Sequence, residues 1–151
     1  MKRWLALALL IAPLAGCSAY QLRGKAVEGA TSAIFIVDAD DPRLERPGVA
    51  GANLYLILDP QRLSTKRLDP QATGADGAFA IRIGEFGAGV LEYEAQLEAR
   101  ASGFRGVAER FDLPGRDKRV LIVLEQGSAN AAPRGESFLD ETLRMGEPYM
   151  D

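Results

Sequence analysis

Three groups of side chains in this sequence could do chemistry: the single thiol at Cys17, the carboxylates Asp38, Asp40 and Asp41 in "DADDPR", and Glu92, Glu94 and Glu98 in "LEYEAQLEARA". Histidine is absent from all 151 residues. Its absence removes Ser-His and Cys-His nucleophilic pairs, histidine general bases and most zinc and copper sites. Neither a G-x-S-x-G nucleophile elbow nor a phosphate-binding glycine loop occurs. Catalysis would have to run on carboxylates alone, as in glycoside hydrolysis. Sugar sites usually add an aromatic platform, and the one tryptophan, Trp4, lies in an N-terminal stretch that reads as a removable signal. No catalytic residue is assigned, and the expectation is a non-enzyme without a cofactor.

The acidic groups have competing readings. Oxygen ligands suit calcium, and the spacing of Asp38 and Asp40 resembles the start of an EF-hand loop. The glycine and glutamate such a loop needs at its sixth and twelfth positions are Arg43 and Val49 here. Asp38, Asp40 and Asp41 therefore form either an acidic turn closed by Pro42 or an irregular calcium site, and no metal is otherwise expected. Glu92, Glu94 and Glu98 project from one side of an alternating segment together with Arg100. They read as the solvated face of an antiparallel strand or as a surface for a basic partner or cation; at a sheet edge they would also discourage unwanted pairing.

Cys17 follows a cationic start, Met1-Lys2-Arg3, and the apolar run "WLALALLIAPL". That run is too short to cross a hydrocarbon layer of roughly 30 Å as a helix, and the layout is that of a secretory signal peptide. Leu14-Ala15-Gly16-Cys17 resembles a bacterial lipobox, which implies cleavage before Cys17 and a thioether-linked lipid on its sulfur. Each buried methylene contributes about 0.8 kcal/mol, so two or three acyl chains anchor durably where one does not. Ser18 stands where an aspartate would imply inner-membrane retention, so the resemblance implies the outer membrane of a cell envelope.

Loss of residues 1–16 takes Lys2 and Arg3 with it, leaving 135 residues with 16 basic and 21 acidic side chains, net −5. An acidic chain without a basic stripe is not expected to bind nucleic acid. With Cys17 carrying lipid, no intrachain disulfide can form, and stability must come from an apolar core.

Between Gln21 and Gln126 turn-forming residues recur and the apolar residues between them alternate. Leu54, Leu56 and Leu58 share one face of "ANLYLIL"; Phe79, Ile81 and Ile83 point inward in "AFAIRI" with Ala80 and Arg82 outward. Leu91, Tyr93, Ala95, Leu97 and Ala99 alternate with polar residues, and "RVLIVLE" is apolar on both faces, as in a central strand. With "LRGKAVE", "AIFIV" and "GVAERFDL" the count is about seven strands, and no capped helical pattern precedes Gly127. The expected fold is all-β: one antiparallel seven-stranded β-sandwich over 22–126, preceded by the signal at 1–16 and a lipidated anchor segment at 17–21.

From Gly127 "GSANAAPRGE" reads as a flexible linker. In "SFLDETLRM" a short helix over 138–145 is expected, with Ser137 as N-cap and Phe138, Leu139, Leu143 and Met145 on its apolar side. Alone, so short a helix is marginal in water. It either docks on the sandwich, stays disordered or binds a partner.

The segments "GVAGANLYLIL", "TGADGAFAIRI", "YEAQLEARASGF" and "KRVLIVLEQG" together resemble the carboxypeptidase regulatory-like domain, a transthyretin-like β-sandwich. The matching points are Gly51-Ala52 opening a strand, Thr73 followed by Asp76-Gly77 and Phe79, and Gly103-Phe104 closing a long strand. The chain departs from the family where Thr73-Gly74 replaces the frequent Thr-Asp, and in its longer loop from Asp38 to Gly48. The resemblance implies a non-catalytic module for binding, spacing or structural support, joined to the membrane by its lipid and to an envelope protein partner. The alternative is a dedicated lipoprotein subunit of a secretion or envelope-assembly complex, docking through its C-terminal tail.

Overall fold

The structure, a computed structural model, describes residues 19–127. The residues before Ala19 and after Gly127, including Cys17 and the expected helix over 138–145, lie outside the described residues. Nine strands occur among those described: β1 (Tyr20–Gly29), β2 (Ala33–Asp38), β3 (Asn53–Leu58), β4 (Lys66–Arg67), β5 (Gln71–Ala72), β6 (Ala78–Ile83), β7 (Glu94–Arg100), β8 (Val107–Asp112) and β9 (Lys118–Glu125). The helical element among them is a single 3-10 turn, Pro42–Glu45. Tyr20 and Gln21, grouped with the anchor segment on sequence, are the first residues of β1.

The fold is all-β and comprises two sheets. One has the order β2-β9-β1-β6; the other has the order β4-β3-β7-β8, with β5 also pairing β3. Alternation supplies the shared core between them. Leu22, Phe79, Ile81, Ile83, Val120, Ile122 and Leu124 from the first sheet meet Leu54, Leu56, Leu58, Ala95, Leu97, Ala99 and Val107 from the second. Gly24 sits where no side chain fits: a Cβ there would lie 2.0 Å from the Val120 carbonyl oxygen and 2.5 Å from the Phe79 ring.

Two expectations need correction. Among the described residues nine strands form rather than seven, because β4 and β5 are two-residue pairings made by loop backbone against β3. Segments so short carry no apolar alternation. The sheets are also not wholly antiparallel: β1 runs parallel to β9, Gly24 opposite Val120 through Gly29 opposite Glu125. Strand direction is not written in a strand's own pattern, although a run apolar on both faces is what a parallel neighbour allows.

That second face of β9 has its own small cluster. Val27, Val37 and Leu121 are buried on the outer side of the first sheet, with Leu44 and Val123 packed against them. Leu44 comes from the 3-10 turn, so the long loop after β2 folds back as a cover. Lys25 Nζ donates to the Leu44 carbonyl at 2.8 Å, and the Arg43 guanidinium lies 5.4 Å from the centre of the Phe35 ring.

Candidate functional site

The acidic loop is organised by its cations. Asp41 caps the 3-10 turn by accepting from the Arg43 amide at 2.9 Å, and its carboxylate forms an ion pair with the Arg43 guanidinium at 2.7 Å. These bonds, the side-chain one foremost, hold the Asp41 carboxyl down at about 2. Asp38 instead faces Lys118 of β9 at 2.5 Å, and Asp40 is exposed. Among the described residues no group of three or more acids, cysteines or histidines is placed to hold a metal ion.

The glutamate row divides. Glu92 is exposed ahead of β7 and Glu94 is half-buried at its start, whereas Glu98 is 0% exposed and its neighbour Gln96 is 2% exposed. The reading of this side as a solvated strand face is therefore corrected at its centre. β7 is an interior strand, and Tyr55 of β3 and Ala108 of β8 stand directly opposite Glu98 on either side. Arg100 donates to the Glu98 carboxylate, and Arg110 Nε donates to Gln96 Oε1 at 3.2 Å. Period two identifies the two faces of a strand, not what covers them. Leu91, placed inward with Tyr93 on sequence, is 51% exposed and precedes the strand.

Sequence reasoning passed over a cleft lined by arginines. At the start of β1 the inward residues Tyr20 and Leu22 are buried, which turns Gln21 and Arg23 outward. In β6 the same alternation buries Ile81 and Ile83 and exposes Arg82, which pairs with Gln21 in register. Arg116 arrives from the turn between β8 and β9. Ala19, Gln21, Arg23, Arg82 and Arg116 line an open cleft of about 390 Å³. No carboxylate is among these described lining residues.

The cleft is firmly mounted. Tyr20 donates its phenolic hydrogen to the Pro114 carbonyl at 2.7 Å, across 94 positions, tying the first residue of β1 to the β8–β9 turn. Burial pushes the Tyr20 phenol up to about 12, with the Arg116 charge pulling the other way. Arg23 donates through Nε at 3.1 Å and Nη2 at 2.8 Å to Gln21 Oε1. Lys118 N donates to the Gly115 carbonyl at 3.1 Å and Arg119 Nη1 to the Arg116 carbonyl at 3.0 Å, closing the turn that carries Arg116. Chemically the arrangement suits an anion. The outward position of Arg82 was readable from "AFAIRI"; its arginine neighbours come only from strand pairing and the turn.

The apolar tail residues Phe138, Leu139, Leu143 and Met145 and the lipidation candidate Cys17 lie outside the described residues. No family model, curated protein or solved structure was found to match this chain.

Proposed function

We propose that this protein is an envelope lipoprotein, lipidated at Cys17 and held at the outer membrane, whose two-sheet domain is a non-catalytic binding or structural accessory module. We assign the domain to the transthyretin-like sandwiches of the carboxypeptidase regulatory-like kind, on the motifs around Thr73, Asp76-Gly77 and Gly103-Phe104. The observation that carries the reading is the nearness of the fold to the lipobox. β1 begins at Tyr20, three residues after Cys17. Three residues span about 10 Å at full extension, so a lipid on that sulfur would hold the domain directly against the bilayer.

The experiment is expression with the native signal in a Gram-negative host, followed by intact mass measurement and membrane fractionation. A membrane-bound chain beginning at an acylated Cys17, released to the soluble fraction by Cys17→Ser, is the expected result. An unmodified thiol in a secreted chain would overturn it.

A second reading, the dedicated assembly subunit, is favoured by where the described chain leaves the fold. Gly127 N donates to the Gly103 carbonyl at 3.0 Å, beside the end of β7, with 24 residues still to follow. Crosslinking in intact cells, comparing the full chain with one ending at Gln126, separates the two. One dominant partner lost on truncation selects the subunit reading; a capture pattern unchanged by truncation selects the accessory module.

A further inference from the structure

We propose that the cleft formed by Arg23, Arg82 and Arg116 binds a phosphate group, supplied by the headgroups of the membrane to which the chain is attached. The headgroup source rests on the lipid-anchor reading above; the phosphate site itself rests on the cleft.

Guanidinium groups present planar forks of donors that match phosphate oxygens, and they hold their charge at every physiological pH. Here three of them, all on exposed residues, face one concavity. Each comes from a different element: Arg23 from β1, Arg82 from the neighbouring β6, Arg116 from the turn before β9. Gln21 orients the first, the β1–β6 register places the second, and the bonds that close the turn place the third. Such convergence fixes a site rather than a diffuse basic surface.

Its location selects the source of the phosphate. Ala19 lines the cleft, and Ala19 is two residues from Cys17, about 7 Å at full extension. A lipid on Cys17 would set the cleft at headgroup depth. The net charge of −5 after loss of the signal would repel an anionic surface, so a local cluster of three positive charges beside the attachment point does what the overall charge opposes. Further along that outer sheet face Leu44 covers Val27, Val37 and Leu121, whereas Arg23 and Arg82 stand exposed at the end nearest Ala19.

The test uses the chain from residue 17 to 151 carrying Cys17→Ser, so that no acyl chain contributes to binding. Sedimentation is measured with vesicles of phosphatidylcholine alone and of phosphatidylcholine doped with phosphatidylglycerol. Inorganic phosphate is titrated separately while the arginine Nε–H resonances are followed by NMR. Binding is expected to the phosphatidylglycerol vesicles, in competition with inorganic phosphate. It should weaken about five-fold for each of Arg23→Gln, Arg82→Gln and Arg116→Gln, and on the order of a hundred-fold for the three together.

Arg46→Gln removes the same charge near Glu28 and Gly29, at the far end of β1, and should leave binding unchanged. Phosphate-induced shifts without vesicle binding would put the ligand in solution and overturn the headgroup source. No response to either probe, or vesicle binding that survives the triple substitution, would overturn the site. An unacylated Cys17 in cells with the cleft still binding vesicles would count against the anchor alone.

Discussion

Thr73 and Val49 are joined by a buried hydrogen bond: the Thr73 hydroxyl donates to the Val49 carbonyl at 2.7 Å, across 24 positions. The same oxygen accepts from the Ala52 amide at 2.9 Å, and Thr73 is 5% exposed. The Thr73 amide donates to the Ala52 carbonyl and its carbonyl accepts from the Gly51 amide. One residue thus ties the approach to β3 to the turn that precedes β6. That turn closes at Gly77, where φ is +79° and a Cβ would lie 2.4 Å from the Ala26 carbonyl oxygen, so only glycine fits.

Replacing Thr73 by valine keeps the shape and removes the hydroxyl, leaving the Val49 carbonyl and the Ala52 amide each short of a bond. Buried polar groups left so cost about 1–3 kcal/mol each, so Thr73→Val should lose about 2–6 kcal/mol in urea denaturation. Thr73→Ser retains donor and acceptor and should lose less than half as much.

Glu98 is a carboxylate at 0% exposure beside Arg100. Removing one partner of a buried pair is more damaging than replacing it by a neutral hydrogen-bonding group, because the remaining charge stays desolvated. Arg100→Ala leaves the carboxylate buried with one cation fewer and should cost about 3 kcal/mol. Glu98→Gln leaves Arg100, which has partial access to water, and should cost less. Equal losses in thermal and chemical denaturation would show that the charge on Glu98 is not what Arg100 stabilises.

The loop over Leu121 should respond to acid through Asp41. Its carboxyl ionises at about 2 in the folded chain against an ordinary value of 3.8, so the folded state prefers the ionised form. The contribution is complete above about pH 4 and is lost as pH falls toward 2. Methyl resonances of Val27, Leu44 and Leu121 should broaden or shift across that window, and Asp41→Asn should produce the same change at neutral pH. A loop insensitive to both would mean that Leu44 alone holds it.

Tyr20 should govern the alkaline side. With its phenol raised to about 12 from 10.0, its stabilising effect is complete below pH 10 and is lost as pH rises toward 12. Phenolate absorbance should show a tyrosine step near pH 12 that Tyr20→Phe removes. Tyr20→Phe, which deletes the bond to the Pro114 carbonyl, should cost about 1 kcal/mol and flatten that alkaline limb.

Much of the architecture is legible in alternation alone. Leu54, Leu56 and Leu58, and Phe79, Ile81 and Ile83, are buried on one face of β3 and β6 as their spacing requires. The doubly apolar β9 serves two clusters, Ile122 in the main core and Leu121 beneath the loop. What alternation lacks is neighbours. Glu98 reads as a surface acid because nothing in "LEYEAQLEARA" says that Tyr55 and Ala108 flank it. Arg23, Arg82 and Arg116, far apart in the chain, meet only once β1 pairs with β6 and the β8–β9 turn closes. The acidity of "DADDPR" drew attention to ligands, whereas Leu44, a little further along the same loop, does the packing.

The parallel contact of β1 with β9 also has a kinetic meaning. The first strand is bordered by β6, which begins at Ala78, and by β9, which begins at Lys118. Neither border exists when β1 leaves the ribosome, and no hairpin can shelter it meanwhile. Loop closure over such separations makes folding slow and leaves apolar strands uncovered along the way. In this topology the β9 side of β1 stays uncovered until the last strand is made, which prolongs the exposure of an apolar strand edge to aggregation.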